Sequence, residues 1–230
     1  LIWLFTFGAI IAFIISLFVE ERKHQRKIKE VSPFILFKES TGHILKNKSL
    51  RRIIYLSVLT LPFYHVIMFL FQPYFLIAGV PNALWGISMA GGSLLGALLM
   101  KYAYKIEEKI GMKKTIFLTT ILPGIFYLAM AFIIGPALSF IWYLLLRGTS
   151  ILRDPLFSQY QNDHIESHNR ATVLSVISMI VSAYLAIMNL VIGSIANKNL
   201  ITSFIVMGVI IVIGAIVFRI NENDVVRVES

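Results

Sequence analysis

No cysteine occurs anywhere in the chain, so neither disulfides nor thiolate chemistry is open to it. Charge is also scarce: 14% of residues are Asp, Glu, Lys or Arg, against roughly 25% in an average soluble domain. A G-x-S-x-G elbow, a nucleotide-binding loop and a pair of acids within an apolar run are all missing, which removes an intramembrane hydrolase and the common nucleotide-driven machines. The loop "HIESH" sets His164 and His168 one helical turn apart, but Glu166 then points away and the zinc-protease order H-E-x-x-H is not met. These absences predict a protein that is not an enzyme and takes neither metal nor cofactor.

What fills the chain is grease. Hydrophobic residues make up 57% of it and the mean hydropathy is +0.79. Apolar runs can be read at roughly 1–19, 53–78, 83–103, 115–134, 136–158, 171–196 and 200–218, each near the ~20 residues that cross hydrocarbon. The expectation is an all-α membrane protein with seven transmembrane helices. The run at 136–158 differs from the others in carrying Arg147 in its interior.

Lys and Arg are retained on the cytoplasmic side of membrane loops. Ten of the 21 basic residues fall between Glu20 and Arg52 and five between Lys101 and Lys114. Arg147, Arg153 and Arg170 flank the next loop on that side, and Arg219 and Arg227 mark the tail. Of the opposite connections only one has a cation, Lys198. The alternation predicts a multi-pass protein of the cell membrane with a cytoplasmic C-terminus. The net charge of +9 is then topological rather than a nucleic-acid footprint.

Four segments follow: a first helix at 1–19, a basic cytoplasmic linker at 20–51, a six-helix bundle at 52–219 and a cytoplasmic tail at 220–230. Within the linker, Ser32 is a candidate N-cap with Pro33 at the first helical position. Phe34, Phe37, Ile44 and Leu45 give that stretch an apolar side to lay on the headgroups. The six later spans divide into three plus three of opposite starting orientation, the pattern of an inverted repeat.

The loop "YKIEEKIGMKKT" presents Glu108, Lys109, Gly111, Lys113 and Lys114 in order. It resembles the C-terminal-half copy of the cytoplasmic loop motif of the major facilitator superfamily, acidic-basic-x-Gly-x-basic-basic, with Tyr104 at the position of the motif's leading glycine. "LLLRGTSILRDP" is similar to the family's arginine-bearing fourth or tenth helix, and the stretch ending "RATVLS" to the entry of its eleventh. "QPYFLIAGVPNALWGI" resembles the junction of its seventh and eighth helices. The resemblance implies that 1–19 is the family's sixth helix and 52–219 its C-terminal bundle of 3+3 inverted repeats, with five helices of an N-terminal half preceding them.

Ionisable residues inside the spans are few and, at membrane depth, are functional candidates. His65 follows Pro62 by three residues and shares a helical face with Leu61, Met68, Phe69 and Gln72. It either lines a cavity beside a proline-broken helix or is hydrogen-bonded between helices, and its usual pKa range would also suit proton carriage. Arg147 lies on a stripe with Phe140, Tyr143, Ser150 and Asp154. Being permanently charged, it needs an anion, carbonyls or water. Candidate substrate contacts are Tyr64, His65, Gln72, Trp142, Tyr143, Tyr184 and Asn189, with packing as the alternative for the aromatic ones. Gly92-x-x-x-Gly96, with the stripe Gly86, Ala90, Ser93 and Ala97, predicts close helix approach.

The resemblance implies gating roles for Glu108, Lys109, Gly111, Lys113, Lys114, Arg147, Arg153, Asp154 and Arg170. In it, the acidic loop residue of one half docks against a helix start of the other, and a helix N-terminus attracts an acid. The function it implies is secondary active transport by alternating access. An apolar, aromatic and Met-bearing lining favours efflux of amphipathic drug-like compounds or metabolites over sugars, with a proton as coupling ion in an antiport. A seven-helix receptor or sensor without transport shares the topology and would show no substrate flux.

Overall fold

The computed structural model describes residues 2–18, 42, 48–163, 165 and 170–219. Their regular structure is all helical: α1 (Ile2–Ser16), α2 (Lys48–Ala78), α3 (Ala83–Ile110), α4 (Met112–Phe132), α5 (Pro136–Asp163), α6 (Arg170–Lys198) and α7 (Leu200–Val217). The chain divides into two compact units, Leu1–Pro33 and Phe34–Ser230. The first contains α1, apolar throughout except for Thr6 and Ser16; the second contains the other six helices. The stretch from Ser32 expected to form a linker helix, the loop residues His164, Glu166 and His168, and the tail at 220–230 lie outside the described residues.

Observed helices overrun the apolar stretches at one end. α2 begins at Lys48 rather than 53, α3 runs to Ile110 rather than 103, and α5 runs to Asp163 rather than 158. All three overruns are at the basic end. Hydropathy marks where hydrocarbon stops, but a helix continues past it because its own ladder still satisfies its backbone groups. In α2 and α3 Lys and Arg reach the headgroup layer from the extension, whereas the α5 extension at 159–163 is polar without them.

Five helices are long and apolar enough to cross a membrane: α2 (from Leu50), α3, α4, α6 and α7. α5 has 28 residues, ample length for a span, but is more polar than those five. Its polar residues are accommodated by neighbours, for α5 packs on α2, α3 and α4 at once.

The packing repeats itself. α3 packs on α5 as α6 packs on α2; α4 on α5 as α7 on α2; α3 on α4 as α6 on α7. The remaining principal pairs, α2 with α5 and α4 with α7, map onto themselves when the two triplets are exchanged. This closure under exchange is the contact signature of a 3+3 repeat, and three helices per repeat make the second copy start on the opposite side. α3 and α6, which are equivalents, are the least enclosed of the five.

Small residues set the crossings. A Cβ on Gly96 would meet Ile151 at 2.7 Å, and one on Gly148 would meet Leu95 at 2.6 Å, so α3 and α5 approach as closely as the glycine pair predicts. Gly124 and Gly208 do the same for α4 and α7. The main aromatic core lies at the far end from the basic loops: Phe71 and Phe75 pack on Tyr143, and Tyr74 and Tyr127 on Phe204. Turn chemistry closes the helices. Gly79, at φ +73, ends α2 with Val80 N donating to Phe75 O at 2.9 Å and Gly79 N to Leu76 O at 3.3 Å, a paired C-terminal cap that needs a residue without Cβ. Asn199 caps α7, its side chain accepting from Thr202 N at 3.0 Å.

Candidate functional site at the crossing of α2 and α5

Pro62 and Pro73 fall inside α2 and Pro155 inside α5. Each deletes an N–H from the ladder, and the two helices that carry them cross in contact. Around that crossing stand Tyr64, His65, Met68, Arg147, Arg153 and Asp154.

Arg147 is half-buried. Its Nε donates to Ser93 Oγ at 3.3 Å and one Nη contacts Met68 Sδ at 2.6 Å, while its stem covers Gly92, where an added Cβ would stand 2.9 Å from it. One guanidinium thus joins α2, α3 and α5. It fits only because position 92 has no side chain. Arg153, 4% exposed, donates Nη2 to Leu56 O at 3.1 Å and lies 4.1 Å from the Phe157 ring centroid. Asp154, the next residue and a full 100° round the helix, is exposed, with Arg153 and His65 as its electrostatic neighbours. His65 is exposed too, its ring edge-on to Tyr64 at 6.2 Å.

The remaining candidates separate into groups. Gln72, two turns further along the His65 face, is exposed and Phe69 between them is 75% exposed; together they make an open polar-apolar strip on α2. Tyr143 is fully enclosed and stacks on Phe71 at 5.1 Å. Trp142 is half-buried and stacks on Phe126 at 6.2 Å. Tyr184 lines a different groove, with Tyr55, Val58, Leu59 and Phe218, and Asn189 is exposed further along α6. The crossing therefore gathers Tyr64, His65, Arg147, Arg153 and Asp154, with Tyr143 bordering it against the Arg147 guanidinium, and leaves Trp142, Tyr184 and Asn189 elsewhere.

At the basic end, Gly111 turns α3 into α4 at φ +85, with its N–H on Glu107 O at 2.7 Å and its carbonyl accepting from Thr115 N and Oγ1. Glu108, Lys109 and Lys114 are exposed there, and Lys113 is half-buried. Arg170 opens α6 exposed, one Nη donating to Ile165 O at 3.4 Å.

Thr60 and Thr120, not singled out in the sequence, join Tyr64, Ser150 and Arg153 in lining a small cavity. Both hydroxyls bond to carbonyls four residues back, a habit of Thr in apolar helices that spacing alone does not distinguish from packing.

Two interlocked helix triplets, with Arg147 and Arg153 at the contact of their proline-bearing first helices, define a multi-pass helical membrane protein of the transporter class. The Major Facilitator Superfamily model matches residues 1–183, and the chain belongs to that family. No curated protein matches it.

Proposed function

We propose that the protein is a secondary active transporter working by alternating access, exporting amphipathic drug-like compounds or metabolites in exchange for protons across the cell membrane, with its C-terminus cytoplasmic. The observation that carries this reading is the exposed strip His65, Phe69 and Gln72 on α2 beside Asp154 of α5, at the crossing held by Arg147. Ionisable groups at membrane depth are costly and persist where they line a pathway; an aromatic ring and an amide between them suit a cation-bearing, partly apolar solute. The open faces of α3 and α6 are equivalents in the repeat, and we assign to them the N-terminal six-helix half of the same protein. Glu108, Lys109, Gly111, Lys113, Lys114 and Arg170 then form the C-terminal share of the cytoplasmic gate, with Arg147, Arg153 and Asp154 behind it.

The test is flux. The purified protein in sealed liposomes, given an imposed proton gradient and a panel of lipophilic cations, neutral drugs and sugars, is expected to move the cations and to acidify or alkalinise the lumen in step. Flux that ignores the gradient removes the antiport reading, and no flux of any solute favours the receptor.

A further inference from the structure

Behind the exposed strip, Thr60 and Tyr64 of α2, Thr120, Pro123 and Tyr127 of α4, Ser150 and Arg153 of α5 and Ile211 of α7 enclose one small cavity. The centre of a water-sized particle has about 10 Å³ in which to move, room for a single small particle. Three buried polar atoms among its lining have no hydrogen-bond partner: Arg153 Nε, Ser150 Oγ and Tyr64 Oη. Arg153 and Ser150 are 4% and 2% exposed, so bulk water does not serve them. Two of these atoms are hydroxyls that can donate, and the third is the N–H of a permanent cation.

No carboxylate lines the cavity; Asp154 is exposed and acts on Arg153 and Tyr64 electrostatically from outside it. A buried guanidinium with one free N–H and no anion in its cavity is expensive in an apolar bundle. A water molecule would engage the donors but bring no charge. An anion accepts from all three and supplies the negative charge that no lining residue has.

We propose that this cavity is a binding site for one small monovalent anion of the halide type, with Arg153 Nε as its charged donor and the Ser150 and Tyr64 hydroxyls as its neutral ones. Its walls come from four helices, two of each triplet, so the anion clamps the bundle across the repeat axis. It is separate from the transported solute, since the lining residues Ser150 and Arg153 are sealed from the exposed strip.

The experiment is a halide titration of the thermal unfolding of the detergent-purified protein, with gluconate replacing chloride at constant ionic strength. The site predicts a saturable rise in melting temperature with chloride. Ser150→Ala raises the chloride concentration for half the effect by roughly tenfold, the worth of one hydrogen bond to a charged group, and Arg153→Gln abolishes the response. Should Arg153→Gln not fold, Ser150→Ala and Tyr64→Phe carry the test by their half-effect concentrations. Melting that is the same in chloride and gluconate overturns the proposal in favour of an ordered water. So does a chloride response that these variants leave unchanged.

Discussion

Gly96 of α3 faces Ile151 of α5 so closely that a Cβ placed on the glycine would lie 2.7 Å from the isoleucine Cβ. Both atoms belong to packed helix surfaces and neither is the far end of a flexible chain. Gly96→Ala is therefore expected to force the helices apart and cost about 1–3 kcal/mol, as overpacking does. Gly86→Ala, at a position with nothing within 4 Å, is the control. Thermal unfolding in detergent should separate the two; equal melting temperatures would mean that the crossing has slack.

Tyr127 donates its buried hydroxyl to Phe63 O at 2.5 Å, bridging α4 and α2. Tyr127→Phe leaves the ring in place and removes only that bond, at a cost of about 1 kcal/mol on the scale of interhelical hydrogen bonds in bilayers. Tyr74, bonded to Ser139 Oγ at 2.8 Å, packs on the same Phe204 as Tyr127. The double variant Tyr127→Phe with Tyr74→Phe should lose the sum of the two in melting measurements if the sites do not communicate.

His65→Leu should change which solutes are moved while membrane insertion stays as it was, because one exposed imidazole contributes little to insertion. Transport of each solute relative to the native protein is the readout, and an unaltered ranking would return His65 to packing. A pH dependence of transport that disappears in His65→Gln would make it the proton carrier.

The absence of cysteine from this sequence helps test the gate, since Ser175→Cys introduces a lone thiol here at an exposed position of α6. Arg170→Lys keeps the charge and loses the planar fork; Arg170→Ala loses both. A gating Arg170 requires that both impair transport and that the alanine variant increases labelling of the thiol from the basic side. A lysine variant indistinguishable from native would leave Arg170 an anchor.

How far the sequence reached differs by element. α7 is apolar along its length and flanked by Asn199 and Arg219, and its limits at Leu200 and Val217 fall within one residue of the apolar run. The glycine pair in α3 was legible for a similar reason: spacing of four puts both on one face, whatever the partner. Partners were not legible. Met68 and Ser93 meet Arg147 from helices 79 and 54 residues away in sequence, and no local pattern encodes that meeting. Trp142 and Tyr143 are adjacent and equally aromatic, yet only Tyr143 is sealed inside, because which side of α5 faces inward depends on α3 and α4. Arg153 and Asp154 pose the same problem with charges, one buried and one exposed.

The two triplets repeat one wiring diagram, but their grip is unequal. Where α3 meets α5, Gly92, Gly96 and Gly148 let side chains mesh like teeth. At the equivalent meeting of α6 with α2, the corresponding helix has only Gly193, with nothing near it. One seam of the bundle is therefore stitched and its twin is merely laid together. A molecule built so is a stiff plate with one compliant edge: pulled apart mechanically, it should release α6 while α3 and α5 still move as one piece.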